Sequence, residues 1–142
     1  MRHAATVYHA TNIKAFLQAD SNEPLLRLYT LLVASELALK DASGKYPMKH
    51  DFQLLAENFW GGGNVPGGVQ SVLTSLHAAL GALRCTLNGN DAPVSPEKYP
   101  GIRYIRLARD GFANGTADGA VQAANVLAQD LVRELKAAGV AL

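Results

Sequence analysis

The sequence contains a single cysteine, Cys85, among its 142 residues. One thiol cannot form an internal disulfide, which fits a reducing compartment, and we expect the protein to be cytoplasmic. Charged residues are also few, at 18% of the chain, and the net charge is only +1. Overall charge therefore gives no reason to expect tight binding to nucleic acid, although a local basic patch is still able to act.

Long apolar runs are missing as well. No uninterrupted stretch is long enough to span a bilayer, and Arg2-His3-Ala4-Ala5 is not followed by the apolar core of a signal peptide. The four histidines share no metal-ligand spacing, and no serine or cysteine stands in the local setting of a catalytic nucleophile. We therefore expect no membrane span, no metal ion, no cofactor and no catalytic residue.

Apolar residues, by contrast, make up 49% of the chain, and its length suits one domain with a single core. Apolar positions recur at the helical spacing of three and four residues through most of the sequence. We predict an all-α fold, in which residues 1–142 form one domain. The expected architecture is an up-and-down bundle of four long helices and one short helix.

Capping residues set the expected limits of the first two helices. The first covers roughly Ala4 to Ala19. The second starts from an N-cap at Asn22, runs to about Ala42 and stops at Ser43-Gly44, where glycine allows the left-handed C-cap conformation. Leucine and valine leave this second helix few polar faces, so we expect it at the centre of the bundle.

The remaining helices have comparable signals. Asp51 is the expected cap of the short third helix, which the glycine run 61–63 ends. The fourth helix is predicted from Val69 to Leu87, with Asn88-Gly89 closing it, and the fifth from an N-cap at Thr116 to near Gly139. Residues 90–116 are rich in proline and glycine and predict irregular structure.

Glu36 and Lys40 are the most informative charges, because they stand four residues apart on the apolar second helix. The simpler interpretation is a surface ion pair worth roughly 0.2–0.5 kcal/mol. The alternative is a half-buried Glu36 that is held by an arginine near residue 103 and shapes a polar cleft.

Two further segments contain groups that could bind a ligand. Glycine-rich residues 61–68 lead into a helix and could expose backbone amides to an anion, but the lysine and hydroxyl residue of a phosphate-binding loop are absent, which favours a flexible connection. Arg103, Arg106 and Arg109 surround Tyr104. This cluster suits a phosphate or a base, or equally a solvated turn with one structural arginine.

Three motifs together resemble the higher-eukaryote and prokaryote nucleotide-binding (HEPN) domain family. They are the helix end Glu36-Leu37-Ala38-Leu39-Lys40, the segment Lys49-His50-Asp51-Phe52-Gln53-Leu54-Leu55 and the later Tyr99-Pro100-Gly101-Ile102-Arg103-Tyr104. The resemblance covers roughly residues 20 to 138. It implies an α-helical bundle, usually a homodimer, that acts as a metal-independent ribonuclease or as a non-catalytic partner of a nucleotidyltransferase.

The ribonuclease signature of that family is an arginine followed four to six residues later by a histidine. Here the last histidine is His77, so no arginine between 103 and 109 has such a partner. The resemblance then implies a non-catalytic module for a nucleotide, RNA or a partner protein, in a nucleotidyltransferase or toxin–antitoxin setting. Its expected cleft residues are Glu36, Lys40, His50, Arg103 and Tyr104. A ribonuclease with a site outside the signature, or a purely structural dimer, are the alternatives.

Overall fold

A computed structural model of the protein describes residues 13–18, 24–47, 50–87, 90–93 and 117–142. Its helices are α1, described over residues 13–18, α2 (Pro24–Ser43), α3 (Phe52–Trp60), α4 (Gly67–Ala82) and α5 (Ala117–Ala137). The predicted all-α class is confirmed, because helices supply nearly all of the buried core. Of the first predicted helix, only this short part falls within the described residues, so the arrangement as four long helices stays a prediction.

Helix α2 lies at the centre of the fold, as its apolar sequence predicts. None of its side chains over residues 27–43 is exposed, and Leu28, Leu32 and Leu39 are completely buried. A helix that is apolar on nearly every side must be enclosed by other elements. Here α3 and α5 both pack against it.

Helix α5 links the two halves of the core, since it packs against both α2 and α4. One stripe of α5 is buried, including Val121, Ala124 and Leu131, while the opposite side contains exposed residues such as Val126. Burial on one face and exposure on the other is the pattern of an amphipathic surface helix. The position of α5 therefore differs from that of α2, although the two helices have nearly the same length, 21 and 20 residues.

The connection from α2 to α3 has the predicted helix ends. Gly44 follows α2 with a φ of 69°, a left-handed conformation that favours glycine. Asp51 caps α3, where its Oδ1 accepts hydrogen bonds from the backbone amides of Gln53 (3.0 Å) and Leu54 (3.4 Å). These bonds satisfy two amides that the first turn leaves without intrahelical partners. Both ends of the connection are thus fixed by local chemistry.

Side-chain amides join α3 to α4. Gln53 Nε2 donates to Gln70 Oε1 at 2.8 Å, and Gln70 Nε2 donates back to Gln53 Oε1 at 2.9 Å. A reciprocal pair of this kind satisfies one donor and one acceptor on each side chain. It fixes the beginning of α4 relative to the beginning of α3.

The end of α4 was predicted wrongly. The helix stops at Ala82, and the next residues form strand β1 (Arg84–Leu87), which pairs antiparallel with strand β2 (Asn90–Pro93). Leu83 and Leu87 continue the spacing of the helical leucines, which is why periodicity extended the helix too far. The Asn88-Gly89 sequence, interpreted as a helix end, is the dipeptide that most favours a two-residue hairpin connection.

That hairpin also corrects the interpretation of residues 90–116 as irregular, because residues 90–93 belong to β2. Residues 94–116, including the predicted N-cap Thr116, lie outside the described part of the chain. Helix α5 begins at Ala117, one residue after the predicted cap, and Gly139 follows its end with a φ of 92°.

The Asp51 cap is the local contact whose loss is simplest to measure. We expect Asp51→Ala to lower the free energy of unfolding by about 1 kcal/mol, because two amides of α3 lose their acceptor. Asp51→Asn keeps an acceptor oxygen and should cost clearly less. Urea unfolding at pH 7.5 measures both variants, and equal losses would contradict the capping role of Asp51.

Candidate functional site

The candidate site begins with an ion pair on α2. Lys40 Nζ donates to Glu36 Oε2 at 3.0 Å, and the side chains of Glu36 and Lys40 are only 9% and 10% exposed. Because the two residues are four apart, one helical face brings them together. The interpretation of this pair as a surface ion pair is therefore wrong. The surrounding helices cover this part of α2 so fully that Glu36 and Lys40 are buried with its leucines.

His50 completes the arrangement from the other side. Its Nδ1 lies 2.8 Å from Glu36 Oε1, so each oxygen of one carboxylate has a different partner. The imidazole is 41% exposed, in contrast to the buried Glu36. A carboxylate that pairs with an ammonium group is ionised and can only accept a hydrogen bond, so His50 Nδ1 is the donor. When the ring is neutral, the other ring nitrogen, Nε2, is then an acceptor.

The structure brings together three of the five residues that were predicted to line a cleft, and their role in binding a ligand stays a prediction. Glu36, Lys40 and His50 were predicted as cleft residues from separate segments, and the structure joins them through hydrogen bonds. Arg103 and Tyr104, the other two predicted residues, lie outside the described part of the chain. The expected bond from Arg103 to Glu36 therefore stays a prediction. The structure shows Lys40 and His50 as partners of the Glu36 carboxylate.

A second aromatic ring on the same connection was not predicted from the sequence. Tyr46 Oη donates to Asp41 Oδ1 at 2.9 Å, and Tyr46 is 43% exposed. The neighbouring Lys45 is exposed too. No helical period relates Asp41 to Tyr46, because the chain leaves the helix between them. Only the Gly44 helix end signals that Tyr46 turns back towards α2.

His77 on α4 lies within the electrostatic reach of this region. Its Nε2 is buried and has no hydrogen-bond partner among the described residues. Burial lowers the pKa of His77 below its ordinary value, because the charged form loses hydration, and the Asp51 carboxylate opposes this by favouring the charged form. The pKa of His77 is lowered overall, so burial is the larger effect.

The glycine-rich segment 61–68 is a connection with an occupied helix end. Gly61 and Gly63 adopt φ values of 88° and 82°, which explains two of its glycines. The Glu134 carboxylate of α5 lies against Gly68 in the first turn of α4, where a Cβ on residue 68 would overlap Glu134 Oε2. A negative side chain is favourable at a helix N-terminus. The chain itself thus supplies an anion there, which favours the connection over an anion-binding loop.

Comparisons with protein-family models, with curated proteins and with solved structures give no match to this chain. Within the described ranges, no group of three or more His, Cys, Asp or Glu side chains could hold a metal ion. Searching the same ranges for a helix that is long and apolar enough to cross a membrane finds none. The HEPN resemblance therefore stays a prediction.

The burial of the ion pair predicts a large effect of Glu36→Gln. The amide leaves the Lys40 ammonium buried without a counter-charge, so we expect the free energy of unfolding to fall by about 3–5 kcal/mol. The matched control is Asp130→Asn, which removes the pair between Asp130 and the 68% exposed Arg133. That change should cost less than about 1 kcal/mol. Urea unfolding compares them, and equal small losses would contradict the role of buried charge.

The lowered pKa of His77 predicts a dependence of stability on pH. In the unfolded chain the imidazole binds a proton at a higher pH than in the folded chain, so acidification through the ordinary histidine range favours unfolding. This loss is absent well above pH 6.5 and grows as pH falls towards the folded pKa, by at most about 1.4 kcal/mol per pH unit. His77→Gln should flatten the dependence between pH 7.5 and 5.5, measured by urea unfolding. Identical pH profiles would contradict it.

Proposed function

We propose that this protein is a non-catalytic binding module of the HEPN type, whose ligand is a nucleotide or RNA. The observation that carries the proposal is the half-exposed His50 imidazole, fixed at Nδ1 by a buried carboxylate. The three motifs of the HEPN resemblance support it from the sequence, since Glu36, Lys40 and His50 belong to two of them.

The energetic cost of the buried ion pair supports this proposal. Burying two charges requires the loss of their hydration, and replacing such a pair by apolar side chains is often neutral or stabilising. The Glu36–Lys40 pair is therefore poorly explained by stability alone. In the Glu36–Lys40 pair, Lys40 bonds to Oε2 of the carboxylate, while Oε1 bonds to His50. The buried charges thus hold a histidine whose ring reaches solvent. Positioning of that ring is the better explanation of the pair.

The chemistry of the His50 ring suits the groups of a nucleotide. An imidazole that is bonded through Nδ1 has in Nε2 an atom that accepts a hydrogen bond from a hydroxyl when the ring is neutral and donates one to a phosphate when the ring is protonated. Both groups occur side by side in a nucleotide. The exposed Lys45, on the same connection, adds a positive charge suited to phosphate. Arg103 and Tyr104 remain part of the proposed ligand set from the sequence argument.

The proposed biological setting has two sources. The cytoplasmic location comes from the single cysteine of the sequence, whereas the homodimer and the nucleotidyltransferase or toxin–antitoxin partner come from the resemblance. The apolar sequence of α2 was a further reason to expect a dimer. Within one chain, however, none of residues 27–43 is exposed, so the burial of α2 does not require a second copy. The homodimer is now supported by the family resemblance alone.

A metal-independent ribonuclease is a second candidate, and one observation favours it. A histidine that is oriented by a carboxylate is the usual arrangement of a general base. RNA carries its own nucleophile in the 2′-hydroxyl. His50 Nε2 would accept the hydroxyl proton as the 2′-oxygen attacks the phosphorus, and the bond to the 5′-oxygen would break as that oxygen takes a proton from the imidazolium or from water. The site would then lie outside the arginine–histidine signature of the family. The absence of that signature is why binding without cleavage is preferred.

One experiment separates these candidates. Fluorescence anisotropy with labelled single-stranded RNA in EDTA should show binding by the wild type, and His50→Ala should weaken it on the order of tenfold or more, because a hydrogen bond to a charged group is lost. Val126→Ala, a change on the exposed side of α5, is the control and should bind normally.

Gel analysis of the same samples tests cleavage. Intact RNA in the presence of bound protein supports the binding module, whereas cleavage that disappears in His50→Ala would establish the ribonuclease. If the wild type binds neither RNA nor a mononucleotide, the proposed function is wrong.

A further inference from the structure

We infer that Tyr46 is a base-stacking residue of this site and that the group it takes is the nucleobase of the ligand. This inference rests on the proposed function and deepens it, because His50 alone recognises hydroxyl and phosphate groups and leaves the base without a partner. The chemistry is common to a mononucleotide and to single-stranded RNA.

The exposure of Tyr46 is the first reason. Among the described residues only three large hydrophobic side chains are exposed, and they are Tyr46 (43%), Leu54 (37%) and Val126 (57%). Tyr46 is the only aromatic residue of the three. An aromatic face stacks on any base, since every base has a π-face.

The fixed position of the ring is the second reason. The hydrogen bond from Tyr46 Oη to Asp41 Oδ1 holds the far end of the side chain, so the ring loses less conformational freedom when a base stacks on it. His50 is held by Glu36 in the corresponding way. Both anchoring acids belong to α2, where five residues correspond to about 7.5 Å along the helix axis. The two exposed rings are therefore attached to one rigid element.

The charges of the connection are the third reason. Lys45 is exposed directly beside Tyr46 in sequence, and cations next to aromatic side chains are typical of surfaces that bind single-stranded nucleic acid. The acidic residues of this region are already engaged. Asp41 accepts from the Tyr46 hydroxyl, and Asp51 accepts from amides of α3. The two carboxylates keep their charge, but both are less exposed than Lys45, which is the exposed positive charge of the described connection.

The test compares a ligand that has bases with one that lacks them. Fluorescence anisotropy with the full chain measures binding of oligoadenylate and of an abasic oligonucleotide of equal length, and competition by AMP measures the mononucleotide. Tyr46→Ala should weaken binding of oligoadenylate on the order of tenfold, because stacking is lost. It should leave binding of the abasic chain unchanged. Tyr46→Phe keeps the ring and should stay within about threefold of the wild type.

Leu54→Ala, at the second exposed apolar residue, is the matched control and should bind both chains as the wild type does. Competition by AMP that weakens in Tyr46→Ala identifies a mononucleotide site, whereas an effect confined to oligoadenylate identifies single-stranded RNA. If Tyr46→Ala binds oligoadenylate as tightly as the wild type, the inference is overturned while the proposed function survives. If the wild type binds no probe, both fail. Circular dichroism confirms that each variant is folded.

Discussion

The candidate site depends on the hydrogen bonds of the buried Glu36 carboxylate. This carboxylate stands on a helix without an exposed side chain over residues 27–43, so its charge has to be compensated inside the protein. Lys40 supplies the opposite charge from the next turn, and His50 supplies a donor from the start of the following helix. The same group thus joins the centre of the core to the surface. A change in how α2 is enclosed would alter the position of the imidazole.

The sequence predicted the helices well where local chemistry decides their limits. Asp51 and the glycines after α2, α3 and α5 act within a few residues of the chain, so their effect can be read from neighbouring positions. The end of α4 depends on a competition that the spacing of leucines does not show. Leu87 fits a helix by period, yet residues 84–87 pair with a strand that follows them. Pairing between segments decided this limit.

For the candidate site, the sequence singled out three side chains but not their arrangement. Glu36, Lys40 and His50 were each identified from motifs, but the distances between segments and the burial of the ion pair depend on how α3 and α5 cover α2. Periodicity predicts that a helix is apolar, but it does not predict how deeply a single polar side chain on that helix is buried. Tyr46 has no sequence signal for a related reason, because its hydrogen bond to Asp41 crosses a helix end.

The positions of the other carboxylates explain why side chains would have to receive a phosphate here. A helix N-terminus is a ready place for an anion, because its first amides lack intrahelical partners. At α3 those amides already bond to Asp51, and at α4 the Glu134 carboxylate lies against the first turn. The N-termini of α3 and α4 thus each have a carboxylate of the protein beside their first amides. Under the proposed function, the phosphate of the ligand would therefore contact His50 and Lys45, whose side chains reach solvent on the connection between α2 and α3.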